Sequence, residues 1–290
     1  MFKNTITLLL LFVCLQNISA QHRLELGVML GPSNYQGDLS SNQLDEMAKN
    51  VSLAGSLQAK YFFNDYVGLR SELLFGRFKG NDATSTSPNR LIRNLSFRND
   101  IQSLSIAGEV NVLRYNPKED NNYTLFLFGG LGVYHHNPKA LYNNSWVALQ
   151  PIGTEGQTLK KYPNLKPYSL IGFTSVMGGG FKFALNPQLN LTIELSANRA
   201  FNDYIDDVSG AAPSTYDFVE ENNLKGAELS YRTREIAGQP KISVGENIRG
   251  NQSIVDWFLN GGIVLSYNIY DPGSGKNFKK GVYKGKCYQF

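Results

Sequence analysis

Leu189-Asn190-Leu191-Thr192-Ile193-Glu194-Leu195-Ser196 alternates aliphatic and polar side chains without a break. Successive side chains of a strand point to opposite faces, so this octet has one aliphatic face and one polar face bearing a carboxylate. A helical period would scatter the leucines around the whole circumference, so the segment reads as a strand. Just upstream, Leu185-Asn186-Pro187-Gln188 is a short turn. Before it, about Ser169 to Ala184 places Phe173, Met177, Phe181 and Phe183 on one face. The two segments form a hairpin.

The same period recurs along the chain in six further segments. Arg23 to Leu30 sets Leu24, Leu26, Val28 and Leu30 on one face, and Val51 to Phe62 sets Leu53, Leu57, Ala59 and Tyr61 together. Tyr66 to Phe78 opposes Val67, Leu69, Leu73 and Phe75 to Gly68, Arg70, Glu72 and Gly76. Leu104, Ile106, Gly108, Val110 and Val112 alternate with Ser103, Ser105, Ala107, Glu109 and Asn111. Tyr123 to Tyr134 is apolar on both faces, and Asp256 to Tyr270 turns Trp257, Leu259, Ile263, Leu265, Tyr267 and Ile269 one way. With the hairpin, eight strands are expected.

Their connections alternate in length. Residues 63–65, 116–122 and 185–188 are short turns, whereas 31–50, 79–96, 135–168 and 197–255 are long. An even number of antiparallel strands joined by alternating short turns and long loops is the pattern of a transmembrane β-barrel, with turns in the periplasm and loops outside. The expected fold is therefore all-β: an eight-stranded antiparallel transmembrane barrel over residues 21–270, in the outer membrane, with both termini periplasmic. A soluble sandwich gives no reason for the alternation, and would carry unusually long structureless loops.

The flanks of that barrel agree. Lys3, the apolar run from Ile6 to Leu15 and the small Ala20 before Gln21 read as a secretory signal peptide over residues 1–20. No later run is apolar enough for a transmembrane helix. Aromatic residues make up 12% of the chain and glycines number 28, against 18% charged residues, as in one large β domain. A formal charge of +4 is too small to argue for nucleic acid. Only Cys287 follows the signal peptide, which excludes an internal disulfide framework.

On the two faces, the aliphatic side meets the lipid bilayer, with Tyr61, Tyr123, Trp257, Tyr267 and Tyr270 as interfacial girdle residues. The opposite side holds Glu25, Lys60, Arg70, Glu72, Glu109, Lys182 and Glu194. An eight-stranded barrel is narrow enough to be filled by side chains. These four acids and three bases are expected to pair as a polar plug rather than line an open channel.

Few residues suggest chemistry. His135 and His136 follow the fifth strand, and Ser145, Glu155 and Asp203 lie in the loops, but no spacing selects a catalytic set. A histidine pair in a polar loop is more often a solvated turn, so no enzyme, cofactor or metal is expected. Gly178-Gly179-Gly180 lies within a strand and lacks the Lys-Ser/Thr of a phosphate loop; glycines there relieve crowding. The Asn-x-Ser/Thr triplets at Asn94, Asn122, Asn190 and Asn251 are chance matches. Asp203-Tyr204-Ile205-Asp206-Asp207 reads as a solvated surface loop, or as a weak calcium site lacking the glycine and distal glutamate of a helical calcium loop.

Beyond Tyr270, Asp271-Pro272-Gly273-Ser274-Gly275 breaks the strand, and Lys276, Lys279, Lys280, Lys284 and Lys286 make residues 271–290 a basic tail. Such a tail can lie against anionic lipid headgroups or dock a partner.

Leu26-Gly27-Val28-Met29-Leu30-Gly31-Pro32-Ser33-Asn34-Tyr35-Gln36-Gly37-Asp38-Leu39 resembles the opening of the PorG-like outer-membrane proteins of the Bacteroidota, and Asn202-Asp203-Tyr204-Ile205-Asp206-Asp207-Val208-Ser209-Gly210 is similar to that family's second signature. The resemblance spans residues 21–270. It implies a part in the type IX secretion system: an integral barrel, not the pore, that anchors a periplasmic ring of the lipoprotein PorK and of PorN. The tail then becomes a docking element for the ring. Cys287, set in Lys284-Gly285-Lys286-Cys287-Tyr288, is a lone thiol for an oxidising compartment, beside two ammonium groups that favour the thiolate. It is expected to form an intermolecular disulfide with the ring's lipoprotein, the alternatives being a homodimer or a free thiol. A passive tether or adhesin and a lipid-modifying barrel are the other functions such a fold can serve.

Overall fold

The computed structural model describes residues 22–40 and 43–270. The signal segment 1–20 and the tail 271–290, with its five lysines and Cys287, lie outside the described residues. The strands are β1 (Arg23–Gln36), β2 (Ser52–Phe62), β3 (Val67–Asn81), β4 (Ser96–Asn111), β5 (Tyr123–His135), β6 (Lys139–Tyr142), β7 (Ser145–Ala148), β8 (Ile171–Ala184), β9 (Leu189–Ala200), β10 (Ala211–Ala212), β11 (Asn247–Ile248) and β12 (Trp257–Tyr270). Eight of them, β1-β2-β3-β4-β5-β8-β9-β12, pair antiparallel in that order, and β12 returns to β1. The sheet is a closed eight-stranded barrel, as the alternation requires. Closure leaves no edge with unpaired backbone groups, the condition for crossing a bilayer with strands.

The faces of the strands are inverted relative to a soluble protein. Val28, Leu53, Leu104, Leu127, Phe173, Ile193 and Ile263 are exposed around the outside, while Glu25, Lys60, Glu109 and Lys182 are buried within. A continuous apolar exterior of this kind is stable only against lipid. Tyr61, Tyr123 and Tyr267 are exposed at the short-turn end, where the Tyr270 hydroxyl also donates to the Pro187 carbonyl at 2.6 Å. Trp257 stands at the opposite end, opposite Gln36 and Arg199. The girdle expected from sequence is thus divided between both rims.

Several strands run further than their alternation indicates. β1 continues to Gln36, β3 to Asn81, and β4 begins at Ser96. The outward residues of these extensions are Pro32, Asn34, Arg77, Lys79, Arg98 and Asp100, and Arg77 pairs with Asp100 at 2.6 Å. Above the apolar band the outer face meets water, so the period-two apolar signal lapses although the ladder does not. The observed short connections are 63–66, 112–122 and 185–188; the long ones are 37–51, 82–95, 136–170 and 201–256. Arg23 and Tyr270 pair at the short-turn rim.

Glycines let the inner strands approach. A Cβ at Gly180 would meet the Ile193 carbonyl oxygen, and one at Gly130 that of Ile106, closer than such atoms can come. The Gly178-Gly179-Gly180 triplet is therefore a packing feature of β8.

The long connections are not structureless. They contain short helices at Leu44–Lys49, Pro88–Arg93, Thr215–Glu220 and Leu224–Ser230. The β6–β7 hairpin extends β4 through Arg98 opposite Lys139, and β10 pairs with β11. Together they form a folded cap over the long-loop rim.

Candidate functional site

The interior is built in layers, set by the inward residues of each strand. In the middle layer the structure gathers all seven charged residues singled out from sequence. Lys182 Nζ lies 2.9 Å from Glu109 and 3.3 Å from Glu25, and Lys60 Nζ lies 3.7–3.8 Å from Glu25, Glu109 and Glu194. Arg70 makes a two-nitrogen contact with Glu194 at 2.6 and 3.1 Å and reaches Glu72 and Glu109 at 3.5 Å. Ser56, Gln58 and Ser266 donate to Glu72, Glu194 and Glu25. Aromatic rings fill the rest: Arg70 stacks 3.8 Å over Phe128, and Lys182 lies over Phe62 and Phe126. Gly178 leaves the space that the Phe128 ring occupies.

Sequence reasoning missed Arg23. It is buried between the Phe62 and Tyr115 rings, donates to the Tyr115 carbonyl at 3.3 Å, and stands below Glu25 on the same inward face. With it the layer holds four cations and four carboxylates. The available signal was phase: Arg23 and Glu25 differ by two residues, so one cannot face inward without the other.

Above the charges lies an apolar layer of Met29, Leu74, Phe78, Phe97, Tyr134 and Phe258, each at most 3% exposed. Higher still, the cap is bonded to the barrel. The Tyr35 hydroxyl lies 2.7 Å from Asp206 and 2.5 Å from Asp256. Asp207 accepts from Thr154 and from Tyr168 at 2.6 Å, and Arg249 lies 3.5 Å from both Asp207 and Glu155. Arg93 joins Asp82 at 2.7 Å and donates to the carbonyls of Asp38 and Arg249.

The acidic stretch after β9 is thus not a solvated loop. Ile205, Asp206, Asp207 and Val208 are buried, because Ile205 and Val208 enter the apolar layer and carry the aspartates with them. Burial raises the pKa of Asp206 and Asp256, and lifts Asp207 to about 6 and Asp203 to about 7. The calcium reading also gives way: Asp206 and Asp207 are turned to different protein partners, and no group of three or more potential ligands is placed for a metal among the described residues.

The histidine pair divides. His135 ends β5 facing out, whereas His136 is fully buried, stacked on Tyr168 and tilted against Tyr134, with Nε2 3.0 Å from the Ser169 carbonyl. Burial pushes its pKa down to about 4. It is not a solvated turn; the flanking Tyr134 and Tyr168 sequester it. Glu155 accepts instead from the backbone of Ser209 and Gly210, so the structure does not join the histidines, Ser145, Glu155 and Asp203 into a catalytic set.

A family described as "Domain of unknown function (DUF6089)" matches residues 3–229, more than three quarters of the chain. The chain belongs to the DUF6089 family. No curated protein matches this DUF6089 chain. Among solved structures it is similar to OprG of Pseudomonas aeruginosa, at 8% identity and TM-score 0.40, over 88% of this chain and 100% of that one. Neisserial surface protein A is similar at 10% identity and TM-score 0.38, over 84% and 96%. Ail, the attachment invasion locus protein of Yersinia pestis, is similar at 10% identity and TM-score 0.36, over 86% and 99%; it was crystallised with the heparin analogue sucrose octasulfate.

These findings correct the narrower reading of this DUF6089 protein. The expectation of a PorG-type ring anchor of the type IX secretion system finds no support: the family that matches has no assigned function, and the similar solved structures show the small outer-membrane barrel fold alone. The expected disulfide finds no support either: Cys14 and Cys287 both lie outside the described residues, which contain no cysteine.

Proposed function

We propose that this protein is a non-conducting outer-membrane barrel that displays its folded cap at the cell surface as a passive tether or adhesin, with the short turns and both chain ends on the periplasmic side. The supporting observation is that the lumen is filled in successive layers while the long loops form a bonded structure rather than mobile strings. Charges paired at 2.6–3.8 Å and a layer of buried aromatic rings occupy the lumen at successive levels, which supports a non-conducting barrel. Loops carry binding functions when a rigid scaffold positions them, and here the exposed Trp146, Val244 and Ile248 are presented by that scaffold.

The test has two parts. A cysteine introduced at the β6–β7 turn (Asn144→Cys) should react with a membrane-impermeant maleimide in whole cells. Replacing Trp146, Val244 and Ile248 with serine should abolish attachment of expressing cells to a target surface while leaving the barrel inserted. The competing reading is the ring anchor. If deleting residues 271–290 strands secreted cargo in the periplasm and the cap variants change nothing, the tether reading fails.

A further inference from the structure

On the lipid face, β8, β9 and β12 present small outward residues close together: Gly179 and Gly261 stand opposite Leu195 on either side of β9, and Ala197 follows Leu195 two residues along, with Pro32 and Asn34 of β1 beside them. Met177, Leu195 and Met47 stand around them, and the depression encloses about 590 Å³. Its upper wall is the helix Leu44–Lys49, held against the outside of β1 by the Asn34 side chain, which donates to the Met47 carbonyl at 2.7 Å. The groove lies in the third of the barrel nearer the long loops, so it opens toward the outer leaflet on the orientation proposed above.

Two polar features frame it. Asn34 lines the groove and is 9% exposed, yet its Oδ1 accepts no hydrogen bond among the described residues. A buried acceptor without a donor is costly, and a ligand carrying an amide N–H or a hydroxyl would satisfy it. Arg199 follows Ala197 on the same outward face, two residues or roughly 7 Å along the strand. It is exposed, opposite Trp257, with no ion-pair partner among the described residues. A guanidinium beside an interfacial tryptophan is at the depth of lipid phosphates, and matches phosphate geometry.

We propose that this groove is a specific lipid site, which seats one acyl chain of an outer-leaflet phosphoglycolipid, with its phosphate on Arg199 and an amide or hydroxyl donor on Asn34. The apolar floor is continuous with the lipid-facing band, so the occupant comes from the bilayer. The inference rests on the long loops facing outward; the Asn144→Cys labelling tests that orientation separately, in cells.

The experiment is native mass spectrometry of the full mature chain in detergent, with diphosphoryl lipid A or phosphatidylcholine as probe. Wild type should retain one lipid A and no phosphatidylcholine. Arg199→Gln should weaken retention about tenfold, as loss of one charge-assisted contact does, and Ala197→Phe should abolish it by filling the floor. The heat-dependent gel shift of the intact barrel certifies that each variant is folded. Equal retention by wild type and both variants, or equal retention of phosphatidylcholine, would overturn the proposal. A dimer mass lost in Ala197→Phe would also overturn it, making a second copy the occupant.

Discussion

Lys182 Nζ lies 2.9 Å from Glu109 Oε1 across the lumen, on strands β8 and β4 that are separated by β5. Neither side chain is exposed. The contact therefore clamps non-neighbouring strands together rather than decorating one ladder. Such a pair is worth little against a well-packed apolar replacement, because both charges have left water, but removal of one member strands the other.

Lys182→Met should accordingly destabilise the barrel by about 3–5 kcal/mol, near the lower end because Lys60 and Arg70 remain beside Glu109. Adding Glu109→Leu should recover most of the loss. Urea unfolding in lipid vesicles measures both, and a double variant no more stable than the single one would show that the pair is not the clamp.

The cap should loosen as pH rises. Burial lifts Asp207 from 3.8 to about 6 and Asp203 to about 7, and raises Asp206 and Asp256. Between roughly pH 4 and 7 the closed cap therefore holds more protons than the opened one, so closure weakens with increasing pH. Arg249 beside Asp207 opposes the trend without removing it. Protection factors of the amides over residues 201–256, which correct for the base-catalysed intrinsic exchange, should be lower at pH 8 than at pH 5, and Asp206→Asn should flatten the difference. Lower protection at pH 5 would reverse the sign and discard the account.

His136 contributes the opposite slope. Its pKa falls from 6.5 to about 4 because it is buried. The folded form thus holds fewer protons than the unfolded form between those values, and stability is lost as pH drops through that window. His136→Gln should remove this acid limb and leave the alkaline behaviour of the aspartates. Unfolding midpoints of both proteins from pH 4 to 7 check it: parallel curves would place the acid limb on another group.

What the sequence made legible was what alternation encodes. Leu189 to Ser196 shows which residues face lipid, and the same phase places Glu25, Lys60, Arg70 and Glu194 inside. It stops being informative at Arg77 and Asp100, where both faces of a strand are polar because the outer one has left the membrane. The cap was hidden for another reason. Asp206 and Asp207 look solvated beside Asp203, and only Ile205 and Val208, apolar residues in an acidic run, hint that the segment turns inward. Their partners Tyr35, Thr154 and Tyr168 are 39 to 171 residues distant in the chain, beyond any local pattern.

The two layers that fill the lumen can be separated by mutation. Phe258 is fully buried, edge-on to Phe78 with centroids 5.5 Å apart and to Tyr134 at the same distance. It sits in the apolar layer above the ion pairs. Phe258→Ala removes a large ring from a packed layer and should cost about 3–5 kcal/mol, depending on how far the neighbours collapse. It should not open a pore. The layer below keeps Arg70 on Glu194 and Lys182 on Glu109, and an ion would have to break these pairs to pass. Planar-bilayer recordings of Phe258→Ala should therefore remain silent at voltages the membrane tolerates, while its unfolding midpoint falls. Steady single-channel currents from this variant alone would show that the ionic layer is no barrier, and would move the seal of the barrel to the aromatic rings.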